Sequence, residues 1–363
     1  MRFLSVPAAV VLALALLAAP ASARLVKAIT AAPQHDGAWE FPVFDDLGVG
    51  IYQFTLRWDL TARTRPKDPT DPNDPAYTWP PEGQQAIDAA RPYGMRVLML
   101  VMGTPRWANG GKDQDWAPHD PRHYAAFLRA AAKRYPSVRL WQVWGEPTRA
   151  PNWKPVTPMG ERQKTPLTKA QRKAPRRYAR LLDAGYAALK RERRSNLVIG
   201  GNSFTGGDIH PVQWVQNMDL PNGRPPRMDL YGHNPFAQRE PRLSRPNLGY
   251  GFADFSDLDW FNRVVDRSLA RPRGKRHLRL FLAEFTVPTA ERDLEFYYWV
   301  TPETQAKWIT SGFRVARQVG AYAFGWIPLR DEPPRADGAP VRHTGLIYSD
   351  GTRKPGYFAF KRG

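Results

Sequence analysis

Residues 139–147 read Arg-Leu-Trp-Gln-Val-Trp-Gly-Glu-Pro. A short run dominated by apolar residues ends abruptly in Gly145, Glu146 and Pro147. Runs of this length, largely apolar on both faces, fit a strand covered on each side. The glutamate therefore sits at the tip of a buried strand, where a carboxyl group is more than a solvated charge.

The same grammar recurs on either side. Strand-like runs are expected at residues 27–31, 50–57 (GIYQFTLR), 95–102 (MRVLMLVM), 139–144, 196–200 (NLVIG), 228–232 (MDLYG), 278–283 (LRLFLA) and 321–326 (AYAFGW). Helical segments separate them, at 41–47, 84–91, 121–134, 175–193, 212–217, 258–269, 302–318 and 354–361. The longest carries Tyr178, Leu181, Leu182, Tyr186 and Leu189 on one side. Eight strand-then-helix units predict a single closed (β/α)8 TIM barrel of the α/β class. An open doubly wound sheet lacks support, because no G-x-G-x-x-G or Walker sequence follows any strand. Three long connections, 61–81, 147–174 and 330–344, all follow strands, so a barrel places them on its C-terminal face as extended loops.

Composition narrows the classes. The chain has 363 residues, of which 42% are hydrophobic and 24% charged, as in folded proteins. The first 23 residues join a positive start at Arg2 to an apolar run over 8–19 and an Ala21-Ser22-Ala23 cleavage pattern. They read as a secretory signal peptide, leaving residues 24–363 as one secreted, extracellular domain. The apolar run is short for a membrane span and no later one is longer, so stable membrane insertion is not expected. With no cysteine, thiol catalysis and thiolate metal sites are excluded. A net charge of +19 favours anionic partners or, equally, keeps Arg-rich helix faces soluble. No nucleic-acid motif accompanies it. No His-x-His follows the first strand and no G-x-S-x-G elbow occurs, so neither metal nor serine-triad hydrolysis is expected, and no cofactor is implied.

A second strand-end carboxylate stands at Glu284, in LFLAEFT. Glycosidic cleavage needs two such groups flanking the bond, and burial raises a carboxyl pKa toward what a general acid requires. With Trp144-Gly145-Glu146-Pro147 and Ala283-Glu284-Phe285 in this order, the sequence resembles the clan A glycoside hydrolases, retaining (β/α)8 glycosidases. Residues 178–188 are similar to the helix after strand four in families 5 and 39, and His343-Thr344-Gly345-Leu346, Asp350-Gly351 and Lys354-Pro355-Gly356-Tyr357 resemble the tail of many such barrels.

The resemblance implies hydrolysis of O-glycosyl bonds in an oligosaccharide or polysaccharide, with Glu146 as acid/base and Glu284 as nucleophile. It further implies support of the nucleophile by Arg57, orientation of nucleophile or substrate by His233, and a sugar platform at Trp326. Trp107 reads as a second stacking face or as rim packing. Asn202 reads as a hydroxyl contact or as a turn cap. Arg57 reads equally as half of a structural ion pair. The family normally has Asn before the acid/base, where this chain has Gly145. That departure motivates the alternative of a weak or inactive barrel that binds carbohydrate or anionic polymer.

Overall fold

The computed structural model describes residues 24–269 and 277–363. The expected signal segment, residues 1–23, lies outside them.

Eight parallel strands close into a barrel: β1 (Val26–Ile29), β2 (Ile51–Arg57), β3 (Arg96–Met102), β4 (Leu140–Val143), β5 (Leu197–Phe204), β6 (Leu230–Asn234), β7 (Leu280–Leu282) and β8 (Ala323–Trp326). Closure is made by β1 pairing with β2 on one side and with β8 on the other. A helix follows each strand: α1 (Phe41–Asp46), α2 (Pro81–Ala90), α3 (Pro121–Arg134), α4 (Lys173–Glu192), α5 (Pro211–Gln216), α6 (Leu258–Ser268), α7 (Pro302–Gln318) and α8 (Pro355–Arg362). Beyond the expected elements lie a ribbon pairing Gln34–His35 with Ala38–Trp39 and single helical turns at Trp58–Thr61 and Arg106–Asn109.

The helices begin where local chemistry starts them. Pro121 takes the first turn of α3 while the Asp120 carboxylate accepts the Arg122 amide at 2.9 Å. On α4, Tyr178, Leu181, Leu182, Gly185 and Leu189 recur at the three- and four-residue spacing that makes one buried stripe.

Strand alternation divides the interior into two cores. Ile51, Leu98, Leu100, Leu140, Ile199, Leu230, Phe281, Ala283 and Ala323 fill the barrel itself, so its lumen is packed rather than open. The intervening residues, among them Tyr52, Met99, Val101, Trp141, Val143, Val198, Tyr231, Leu282, Phe324 and Trp326, face the helices. Gly325 takes an inward position where a Cβ would lie 2.0 Å from the Ala283 carbonyl oxygen, so no other residue fits there without moving β7. Two buried tyrosines tie the helix layer to the strand ends. Tyr124 donates to the Val101 carbonyl at 2.7 Å, and Tyr178 donates to Val143 at 2.8 Å while accepting the Gly201 amide at 3.0 Å. Each such bond contributes on the order of 1 kcal/mol. Together they fix the tips of β3 and β4, the latter just before the Glu146 segment.

Candidate active site

Above the packed lumen, at the C-terminal ends of the strands, opens a cavity of about 870 Å³. Glu146 and Glu284 both line it. One amide nitrogen joins them: Asn234 Nδ2 donates to Glu146 Oε1 at 2.8 Å and to Glu284 Oε2 at 3.1 Å. Those two oxygens thus lie no farther apart than two hydrogen bonds end to end, under about 6 Å. Gln53, projecting inward from β2, donates to Glu284 Oε1 at 3.1 Å. Arg149 Nη1 donates to Glu146 Oε2 at 2.7 Å.

The backbone is bent to present Glu146. Trp144 (φ 69°) and Glu146 (φ 42°) are both left-handed, flanking Gly145, which is not. Non-glycine residues there cost of order 1–3 kcal/mol each, a strain held by the packed surroundings. The buried Trp144 indole donates to the Asn152 carbonyl at 2.7 Å and packs against Trp153. A Cβ on Gly145 would meet Leu100 and Met102 at 3.5 Å, ordinary contact, so the glycine is not a steric requirement.

Glu284 is pushed up to about 8, first by burial and then by the neighbouring Glu146 charge, with Glu295 adding to the rise and Gln53 and Arg149 opposing it. Two carboxyl groups this close titrate as a pair that retains one proton across neutral pH. In the resting geometry both Glu146 and Glu284 accept a hydrogen bond at each oxygen.

The remaining expected residues are not in the cavity lining. Arg57 forms a bidentate pair with Asp59, at 2.8 and 2.7 Å, the local ion pair that was the other reading of it. Gln53, four residues earlier on the same strand, contacts Glu284 instead. His233 faces outward, fully buried, with Nδ1 2.9 Å from Ser203 Oγ, Nε2 3.0 Å from the Ala253 carbonyl oxygen and its ring against Phe261. Burial lowers it to about 4, so it is neutral and structural. Its neighbour Asn234 is the residue that reaches both carboxyl groups. Trp326 also faces the helix layer, against Phe285 and Phe360. Trp107 is rim packing: it donates to the Ala62 carbonyl at 2.8 Å and meets Trp58 edge-on. Asn202 is buried in a left-handed conformation beside Gly232, away from the lining.

The aromatic wall consists of Phe204, Phe236 and Phe296, in successive contact at 5.3 and 5.9 Å between ring centres. The opposite rim carries ion pairs between loops: Arg330 with Glu40 at 2.7 Å, and Arg342 with Glu295 and with Glu332. Beneath that rim Lys354 is wholly buried, donating to Asp331 Oδ1 and Thr289 Oγ1, each at 2.7 Å.

No protein-family model matches the sequence, and no curated protein matches it. Solved structures do match in fold. A family 39 glycoside hydrolase from the gut symbiont Bacteroides cellulosilyticus WH2 superposes with a TM-score of 0.64 at 17% identity, covering 94% of this chain and 64% of that one. A monomeric β-xylosidase from Caulobacter crescentus CB15 gives 0.58 at 20% identity, covering 93% and 67%. A Bacteroides uniformis β-glucuronidase gives 0.52 at 13%, covering 93% and 35%. The chain therefore spans about two thirds of the first two and about a third of the last. Its structural neighbours are family 39 and related clan A glycosidases, and what it shares with them at these identities is the closed eight-stranded barrel.

Proposed function

We propose that this chain is a retaining glycoside hydrolase. The observation that carries the reading is the Asn234-bridged carboxyl pair at the tips of strands four and seven, in a cavity walled by phenylalanines. In the first step a Glu284 oxygen attacks the anomeric carbon as the glycosidic C–O bond breaks, and Glu146 gives its proton to the departing oxygen. In the second, water attacks that carbon, releases Glu284 and returns a proton to Glu146. Asn234 holds the two groups in register, Gln53 fixes the nucleophile's second oxygen, and the phenylalanines offer faces for sugar rings.

The substrate class is an extracellular or cell-wall glycan, and the protein is exported. The export reading rests on the signal-like sequence of residues 1–23. No helix among the described residues is long and apolar enough to cross a membrane. The test is a screen of aryl glycosides and polysaccharides run in parallel with Glu284→Gln. Release of sugar with retained anomeric configuration, abolished in the variant, supports the reading. Turnover that is equal in the variant overturns it.

A further inference from the structure

The hydrogen bonds around Glu146 crowd one of its two oxygens. Oε1 accepts from Asn234, and Oε2 accepts from Arg149 at 2.7 Å and from Asn152 at 3.4 Å. Every one of these partners is a donor, and two of the three converge on Oε2, so a proton on that oxygen would compete with Arg149 and Asn152. Oε1 is turned toward Glu284 through Asn234. Arg149 holds Oε2 and thereby stands beside the group assigned to protonate the departing oxygen, on the leaving-group side of the pair.

The setting shows what draws it off. Arg149 is held against the Phe204 ring, its guanidinium 4.8 Å from the ring centre, and 42% of the side chain is exposed. The other two arginines lining the cavity, Arg330 and Arg342, are paired to rim glutamates, whereas Arg149 pairs with the reacting group itself. Its connection, residues 147–174, holds seven Lys and Arg against the single Glu161, with Arg162, Lys164, Lys169 and Lys173 exposed. The lining glutamates Glu40, Glu295 and Glu332 are paired with Arg330 and Arg342.

Resting on the glycosidase reading, we propose that Arg149 is the specificity residue of the leaving-group subsite and binds an anion on the departing residue: a carboxylate, sulfate or phosphate next to the scissile bond. Such an anion offers the guanidinium a bidentate partner, swings it off Oε2 and frees that oxygen for the proton. With the guanidinium drawn off, Oε2 is open to the proton that the acid step needs. Substrate identity and catalytic protonation are thereby coupled.

The test compares two aryl glycosides of the sugar found by screening, one with a 4-nitrophenyl and one with a 3-carboxy-4-nitrophenyl leaving group, and adds sulfated and phosphorylated oligosaccharides to separate the anion types. Wild-type protein is expected to prefer the carboxylated glycoside by about tenfold or more in kcat/KM, one charge-assisted contact being worth at least about 1.4 kcal/mol. Arg149→Met, which keeps the stack on Phe204, brings the ratio near one, and Arg149→Lys retains part of it. The preference is also expected to shrink in high salt. A wild-type ratio near one, or one undiminished in Arg149→Met, overturns the proposal while leaving the glycosidase reading intact. Turnover of neither class by folded wild-type protein overturns both.

Discussion

His233 and Asn234 are adjacent in sequence and face opposite sides of the barrel wall. His233 bonds outward to Ser203 and Ala253, and Asn234 bonds inward to both carboxylates. The pair permits a clean separation of stability from catalysis. Asn234→Ala is expected to lower kcat by about 10–100-fold, through lost positioning of Glu146 and Glu284, with little change in Tm. His233→Ala is expected to cost about 2–4 kcal/mol of stability, from a buried cavity and two lost hydrogen bonds. Thermal unfolding and steady-state kinetics on both variants check this, and the reverse pattern would count against the assignment.

Replacing Glu146 should separate its two duties. Glu146→Ala is expected to lose about 10²–10⁴-fold in turnover of glycosides with poor leaving groups, the usual worth of a general acid. With a dinitrophenyl leaving group, which departs unassisted, the first step should be nearly unaffected. Added azide should restore turnover by replacing activated water. A uniform loss across leaving groups would contradict the acid role.

The raised Glu284 has consequences for pH in both activity and stability. A retaining pair needs one proton, and burial with the Glu146 charge holds it up to about pH 8. The groups facing Glu284 are Glu146 and Arg149 beyond β4, Glu295 beyond β7, Gln53 on β2 and Asn234 on β6. Activity is therefore expected to fall on the basic side with a midpoint near 8. Because the folded protein binds this proton more tightly than the unfolded chain, stability from this group is full below about pH 4.5 and is lost as pH rises toward 8. Glu284→Gln removes that penalty and should be more stable than wild type at pH 8 by more than about 1 kcal/mol, with the gap closing at pH 4–5. Urea unfolding at both pH values measures it.

The strands were legible because each is a short apolar run, and the two glutamates because they end such runs. Which side of the wall a residue faces was less so. His233 and Trp326 were each placed in the site by their closeness to a strand end, yet alternation turns both toward the helices. Asn234 and Phe236, just beyond His233 in the same segment, carry the contacts instead. For Gln53 a signal existed: it shares inward parity with the core residue Ile51, and a polar side chain at such a position needs a partner inside the barrel. For Arg57 the ion-pair reading holds, because Asp59, two residues on, satisfies it locally. The role of Arg149 depends on a turn that folds back three residues to Glu146, which spacing alone does not reveal.

The fully buried Lys354–Asp331 pair supports the cavity wall built from residues 329–344. Asp331 Oδ1 also accepts the Gly345 amide at 2.8 Å. Lys354→Ala leaves a buried carboxylate without its cation and is expected to cost about 3–5 kcal/mol. Differential scanning calorimetry reads the loss, and a change under 1 kcal/mol would show that the pair contributes little.

That anchor also sets an order of events. Lys354 immediately precedes α8, far downstream of both glutamates, so Asp331 gains its buried cation only once synthesis has passed residue 354. A nascent chain can therefore hold both carboxylates while that wall still lacks its charged anchor.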